Sequence, residues 1–292
     1  MREQVQVAAV AVDTKPNDYQ GNLERIDRWL KQTKQAGAEL VLFQELSLTG
    51  FIPNHPTGDH EAWLRQALSI ARQSAISVPG PAVHQLVDMA KTHDLWFSVG
   101  LLEDAGNLMF NSQILVGPDG LCGKWRKMHI PMFETPFYNG GEGPTVVQTE
   151  LGRIGCNICF DTLLPESTRL LAVQNVEIVL FPFAADPPPR TPAGWEAWAS
   201  TALAARCAEN GVFGVACNYV GEVTCAGVSQ NFPGGGLIVG PRGEKLATWT
   251  QPGDEPGLLS YKLQRDDLIQ ARAEPEYLFR FRRPELYGPL SE

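Results

Sequence analysis

The 292-residue sequence has no stretch of about 18 consecutive apolar residues, the length a membrane-spanning helix needs. It has no phosphate-binding Walker loop and no dinucleotide glycine fingerprint, and its five histidines form no pair at metal-ligand spacing. Membrane insertion is therefore not expected, and no metal or organic cofactor is indicated. Positive charge is also scarce: the formal net charge is -9 and the pI about 5.1. The basic runs at 124–127 and 279–283 are too short to supply the concentrated footprint that a nucleic-acid backbone requires. Six cysteines, at 122, 156, 159, 207, 217 and 225, lack the dense spacing of a small secreted disulfide scaffold, so they are expected to be reduced. Met1-Arg2-Glu3-Gln4 leads straight into the apolar segment Val5–Val12 without a small-residue cleavage site, which reads as the buried first strand of a cytoplasmic protein.

What is present is the composition of a soluble globular chain, 43% hydrophobic and 20% charged, long enough for a sizeable core. No linker, repeat or low-complexity segment divides it, so residues 1–292 are read as one domain. The last ~25 residues, acidic and aromatic, are expected to form an arm or a subunit contact. Apolar positions recur at helical spacing over Asn22–Ala36 (Leu23, Ile26, Trp29, Leu30), and Gly37 ends that helix before the apolar run Leu40–Phe43. Further helices are predicted over 60–75, 82–92, 164–173 and 194–210. Strands are predicted over 95–101, 107–116, two stretches flanking 150–152, and 177–181, 212–218, 235–239, 244–250 and 257–261. The pattern is mixed α/β rather than a plain alternation of strand and helix.

Three places carry residues with chemical potential. Cys159 closes the apolar run Arg153–Phe160 and precedes Asp161, and is predicted to end a strand where a side chain meets a pocket. On an extended segment Cys156 and Cys159 point to opposite faces, so only one would see that pocket. Glu45 follows Leu40-Val41-Leu42-Phe43-Gln44, where a carboxylate needs a partner if it is buried. Lys127 lies in Lys124-Trp125-Arg126-Lys127-Met128-His129, either as part of a solvated edge or as a cation beside a developing oxyanion. Glu134 is placed to orient that lysine or a substrate. Taken singly, each of these residues is better explained by an ordinary structural role. All five histidines precede Cys159, which offers few partners for a cysteine–histidine site and makes Glu45 the better base.

Together these segments resemble the nitrilase superfamily of carbon-nitrogen hydrolases. Phe43-Gln44-Glu45-Leu46 is similar to its glutamate motif, Lys124–Pro131 to its lysine motif, and Gly155–Asp161, continuing to Pro165-Glu166, to its cysteine motif. Phe137–Gly143, Ala205–Asn210, Ala216–Gly221 and Phe232–Gly236 extend the likeness over nearly the whole chain. The resemblance implies a four-layer α-β-β-α sandwich of two six-stranded sheets, no metal or organic cofactor, and a homodimer or larger assembly. It implies Cys159 as nucleophile, Glu45 as general base, Lys127 and the backbone N–H of Phe160 as oxyanion donors, and Glu134 as a supporting carboxylate.

The expected partner is a small amide or carbamoyl compound. True nitrilases of the superfamily usually carry tryptophan and glutamate after the nucleophile, where this chain has Phe160-Asp161. Carbamoyl-amino-acid hydrolases usually place two arginines there, and Thr162-Leu163-Leu164 offers none, although Arg169 or Arg190 could serve from elsewhere. A linear amide is therefore the preferred substrate, ahead of a carbamoyl compound and a nitrile. Phe133, Tyr138, Phe183, Ala184 and Trp195, with Trp198, are candidates for the acyl pocket, and Asp186 is a candidate for recognising an amine. A catalytically silent binding module and a thiol redox protein are the competing classes; the intact Glu45, Lys127 and Cys159 set disfavours the first.

Overall fold

The computed structural model describes residues 1–55, 58–249 and 255–291. In chain order the strands are β1 (Gln4–Ala11), β2 (Leu40–Phe43), β3 (Trp96–Asp104), β4 (Met109–Gly117), β5 (Gly120–Arg126), β6 (Val147–Gln148) and β7 (Arg153–Cys156). They continue as β8 (Ile178–Phe183), β9 (Phe213–Asn218), β10 (Val220–Cys225), β11 (Val228–Pro233), β12 (Gly236–Val239), β13 (Lys245–Thr248) and β14 (Gly257–Gln264). The helices are α1 (Tyr19–Gln35), α2 (His60–Ser74), α3 (Pro81–His93), α4 (Pro165–Ala172), α5 (Pro192–Asn210) and α6 (Arg265–Ala273).

Two six-stranded sheets form, in the orders β14-β1-β2-β3-β4-β5 and β13-β12-β9-β8-β7-β6. Each has three parallel strands at its centre, β1-β2-β3 and β7-β8-β9, and antiparallel strands outside them. β1 shows why they stack. Its Val5, Val7, Ala9 and Ala11 enter a core shared with Ile154, Val179, Val215 and Leu237 of the second sheet. Its Ala8 and Val10 face the other way, onto Leu23, Ile26 and Leu30 of α1 and Val83 and Leu86 of α3. From Val7 to Ala11 the strand is buried on both faces and needs apolar residues at every position, which is why that stretch reads as an unbroken run. Leu171 of α4 and Ala199, Leu203 and Cys207 of α5 cover the far side of the second sheet, completing the α-β-β-α sandwich.

The predicted helices match to within a few residues, but several elements differ from the sequence reading. The cysteine segment leaves its sheet at Cys156, so Cys159 lies on a 3-10 turn (Cys159–Leu163) rather than on a strand. The basic run was open to reading as a solvated edge; it belongs to β5, whose two glycines and alternating cations hide the strand pattern. Lys124 and Arg126 project onto buried Glu103 of β3, at 2.6 and 2.7 Å. The β10–β11 hairpin turns through Ala226 and Gly227, both with positive φ, and α6 follows β14 directly. The predicted strand over 244–250 is seen as Lys245–Thr248, and Thr250 lies outside the described residues. Among the described residues no helix is long and apolar enough to cross a membrane. All six cysteines are free.

Glu103 is buried, which disfavours its charge, but hydrogen bonds from Arg126, Lys124 and Ser112 overcome this and hold its carboxyl at about 2. A depressed carboxylate stabilises the fold fully above the ordinary value of 4.5, and this contribution is lost as the pH falls through about 2. Glu103→Gln is expected to lower stability by about 3 kcal/mol at neutral pH and to flatten the acid limb of the unfolding profile between those values. Urea denaturation from pH 2 to 7 checks this; an unchanged acid limb in the variant would contradict it.

Candidate active site

The site lies beyond the carboxyl ends of the parallel strands, where open α/β sheets place their ligands. After β2 the chain turns at Leu46, a non-glycine residue at φ +53°, and this turn fixes Glu45 just past the strand. The turn crosses β3 at Gly100, where a methyl group would press against the backbone nitrogen of Leu46 and lie 2.9 Å from the carbonyl carbon of Glu45. β4 contributes Asn111, and the residue after β5 is Lys127, whose N–H donates to the Asn111 carbonyl at 2.8 Å.

These backbone positions bring one cation between two acids. Lys127 Nζ donates to Glu45 Oε1 at 2.8 Å and to Glu134 Oε2 at 2.6 Å. Asn111 Nδ2 also donates to Glu45 Oε1, at 2.6 Å. Glu45 and Lys127 have no exposed surface, and Glu134 is almost fully buried. Burial alone would discharge the Lys127 ammonium, but the charges of Glu134 and Glu45 hold its pKa well above the ordinary value. Burial raises Glu134 to about 7; Lys127 works against that rise and Glu45 adds to it. Two valences stay open. An ammonium has three N–H donors and only two are taken, and Glu45 Oε2 is buried without a hydrogen-bond partner among the described residues.

Cys159 arrives from the other sheet. Asn157 N–H still donates to the Leu180 carbonyl at 3.0 Å, and the chain then turns so that Cys159 takes φ +48°. A β-carbon in this left-handed region is strained, and such strain persists only where surrounding contacts enforce it. Asp161 supplies them. Its Oδ1 accepts the His129 N–H at 2.9 Å and lies 2.8 Å from His129 Nδ1, while its Oδ2 accepts the N–H groups of Ile158 at 3.2 Å and Met128 at 3.3 Å. One carboxylate thus ties the residues just after Lys127 to the turn that carries the thiol. Burial pushes the Cys159 thiol well above its ordinary 9, and the charge of Glu45 pushes the same way; Lys127 and the backbone at Ala184 oppose them. The resting group is a neutral thiol beside a carboxylate with a free oxygen.

The pocket candidates separate. Tyr138 is buried and shares a cluster with Ala184 and Phe137. Phe133 is half exposed and meets the His55 ring edge-on at 4.8 Å. Phe183 and Trp195 stack edge to face at 5.7 Å inside the core, with Trp198 against Phe183 at the surface. Phe160 is partly exposed. Asp186 pairs with Arg190 at 3.2 Å, and Arg169 donates to the Glu209 carbonyl. The sequence reading assigned no role to Asn111 or Asp161. A signal for Asn111 was available: Asn111-Ser112-Gln113 is a polar triplet within an otherwise apolar strand, and all three prove buried. Among the described residues no group of three His, Cys, Asp or Glu side chains is arranged to hold a metal ion.

A family model described as carbon-nitrogen hydrolase matches residues 6–273. A nitrilase from Pyrococcus abyssi is 29% identical, covering 94% of this chain and all of its own length. An N-carbamoylputrescine amidase from Arabidopsis thaliana is 28% identical over 94% of this chain and 91% of its own. In three dimensions the chain is similar to an amidase of the nitrilase superfamily from Nesterenkonia sp., with a TM-score of 0.77 and 25% identity over 99% of this chain and 98% of that one.

Removing the cation should leave two buried carboxylates facing each other, which Lys127→Met tests. The variant is expected to lose about 3–5 kcal/mol at pH 8. A raised carboxyl stabilises the fold below its unfolded value, near 4.5, and this is lost as pH rises through the folded value, already about 7 for Glu134. The deficit should therefore shrink as the pH falls from 8 to 5, measured as the gap in Tm between variant and parent. A gap independent of pH would contradict the arrangement.

Proposed function

This chain belongs to the carbon-nitrogen hydrolase family, and on that premise we propose that it hydrolyses a small linear amide to a carboxylic acid and ammonia through a thioester on Cys159. The observation that carries the reading is Glu45 Oε2, a buried acceptor with no hydrogen-bond partner among the described residues, on a carboxylate whose charge acts on the buried Cys159 thiol. A thiol held protonated attacks poorly, so its proton must leave as the bond to carbon forms, and a carboxylate kept free for that purpose is the group to receive it.

In this reading Cys159 Sγ attacks the amide carbon and Glu45 takes the thiol proton. The charge that develops on the carbonyl oxygen is met by the third N–H of Lys127 and the backbone N–H of Phe160. Glu45 returns the proton to the nitrogen, the carbon–nitrogen bond breaks, and ammonia departs. Water then adds to the thioester with Glu45 as base, and collapse of that adduct releases the acid and restores the thiol. Glu134 holds Lys127 in place throughout and carries no proton between reactants.

Phe160-Asp161 in place of the tryptophan and glutamate usual in true nitrilases supports an amide over a nitrile, and the missing arginine pair argues against a carbamoyl amino acid. A carbamoyl amine is the second reading, favoured by the likeness to an N-carbamoylputrescine amidase. Matched panels of primary amides, N-carbamoyl amines and nitriles separate these, with ammonia and carbon dioxide measured together. Ammonia from amides without carbon dioxide, abolished in Cys159→Ala and reduced at least about 10³-fold in Glu45→Gln, is the expected result. Equal ammonia and carbon dioxide from carbamoyl amines alone would replace the amide reading with the second one.

A further inference from the structure

Two buried amides meet the turn at Glu45, and they are treated differently. Gln44 is bonded at both ends: its Nε2 donates to the Val12 carbonyl at 2.6 Å and to Thr14 Oγ1 at 3.1 Å, and its Oε1 accepts the Val12 N–H at 3.1 Å. Asn111, 1% exposed, is bonded at one end only. Its Nδ2 donates to Glu45 Oε1 at 2.6 Å, while its Oδ1 is buried without a hydrogen-bond partner among the described residues. The amide cannot be turned around, because that would set its oxygen against a carboxylate oxygen with no proton between them. Gln113, Asn157 and Asn210 are also open at one end, but their side chains bond the Phe43 carbonyl, Thr168 and the Arg206 carbonyl, none of them a group of the site.

The position of Asn111 ties its open end to the reaction. Its carbonyl accepts the Lys127 N–H at 2.8 Å, so one residue of β4 holds the lysine through its backbone and the base through its side chain. Oδ1 shares a carbon with the Nδ2 that touches Glu45, which puts it within about 5 Å of Glu45 Oε1. Glu45 Oε2 is the other buried acceptor left open there. A buried acceptor without a partner destabilises the fold, and such groups in a native structure call for an explanation. Two of them on bonded neighbours fit a ligand that brings two hydrogens, and the water that hydrolyses a thioester brings two.

We infer that Asn111 is a further catalytic residue: its Oδ1 is the second acceptor, beside Glu45 Oε2, for the water that attacks the thioester. The inference rests on the amide-hydrolase reading and adds one residue to its second half. As the water oxygen bonds the acyl carbon, one of its protons passes to Glu45 Oε2. The other stays on the oxygen, donated to Asn111 Oδ1, and so aims the attacking lone pair. The carbon–sulfur bond then breaks and Glu45 returns its proton to the sulfur. Methanol can make the same attack but has only one such proton, which goes to Glu45, and Oδ1 is left unpaired. A site built around a hydrogen bond discriminates by what the wrong ligand leaves unsatisfied.

The test is the partition of one common thioester between water and methanol. Propionamide is turned over in aqueous methanol, and propionic acid and methyl propionate are measured together, with Cys159→Ala as the blank. Because both products come from the same intermediate, the rate of acylation and any general weakening of Glu45 cancel from their ratio. Asn111→Leu, which keeps the branching of the side chain, and Asn111→Val both lack the acceptor, and each is expected to raise the ester-to-acid ratio about tenfold over the parent. Asn111→Asp, which keeps an acceptor oxygen, should slow turnover yet hold the parent ratio; Tm confirms which variants are folded. A ratio unmoved in the folded Leu or Val variant, or raised equally in Asn111→Asp, would overturn the inference while leaving the hydrolase reading intact. No ammonia from the parent with any amide would overturn that reading and the inference with it.

Discussion

The ammonium of Lys127, buried between Glu45 and Glu134, is the interaction on which the rest of the site depends. Each member is untenable alone in a dry interior, and the three together are tolerable because each carboxylate meets the cation within hydrogen-bond distance. The arrangement also sets the chemistry. By occupying one oxygen of Glu45, Lys127 and Asn111 leave the other unpaired, and Lys127 spends only two of its own three donors on the described residues. A structural ion cluster would close all of its valences; this one leaves an acceptor and a donor open beside a thiol.

The fold makes this possible by facing two sheets whose parallel strands end on the same side. Glu45 and Lys127 come from the first sheet and Cys159 from the second, so the sandwich must be closed before the three meet. Asp161 is the cross-brace, holding the segment after Lys127 against the strained turn at Cys159. Glu103 does related work one turn away, drawing the cations of β5 onto β3 so that the strand ends with Lys127 pointing inward. Charges that look like surface decoration in the sequence are therefore what sets the register of the site.

Much of this was legible in the residues. β1, β2 and the cores of α1, α3 and α5 declare themselves because burial on both faces, or on one helical stripe, leaves a periodic apolar record. Glu45, Lys127 and Cys159 could be grouped from their motifs, but nothing local in them says that Lys127 is wholly buried or that Cys159 sits at positive φ, since both depend on contacts with segments far away in the chain. β5 was hidden because its cations Lys124 and Arg126, on the face opposite Trp125, are satisfied by Glu103, about twenty residues upstream, a pairing invisible to a hydrophobic pattern. Asn111 holds Glu45 through one side-chain hydrogen bond and Asp161 braces the turn that carries Cys159 through several, and such bonds leave no periodic trace. Phe183 and Trp195 stack on each other within the core cluster that also holds Cys159, so a sequence pattern does not separate packing from a place near the site for such aromatics.

The central claim is that the reacting sulfur rests as a neutral thiol and is deprotonated by Glu45 only as it attacks. Thiolate absorbance at 240 nm, recorded against pH for the parent minus Cys159→Ser, reads this directly and needs no substrate. The account predicts no thiolate signal from Cys159 at neutral pH and none until the pH is above 9. A difference titration with a midpoint near 6 or 7 would mean a preformed ion pair, as low-pKa cysteines show, and would contradict the role given to Glu45.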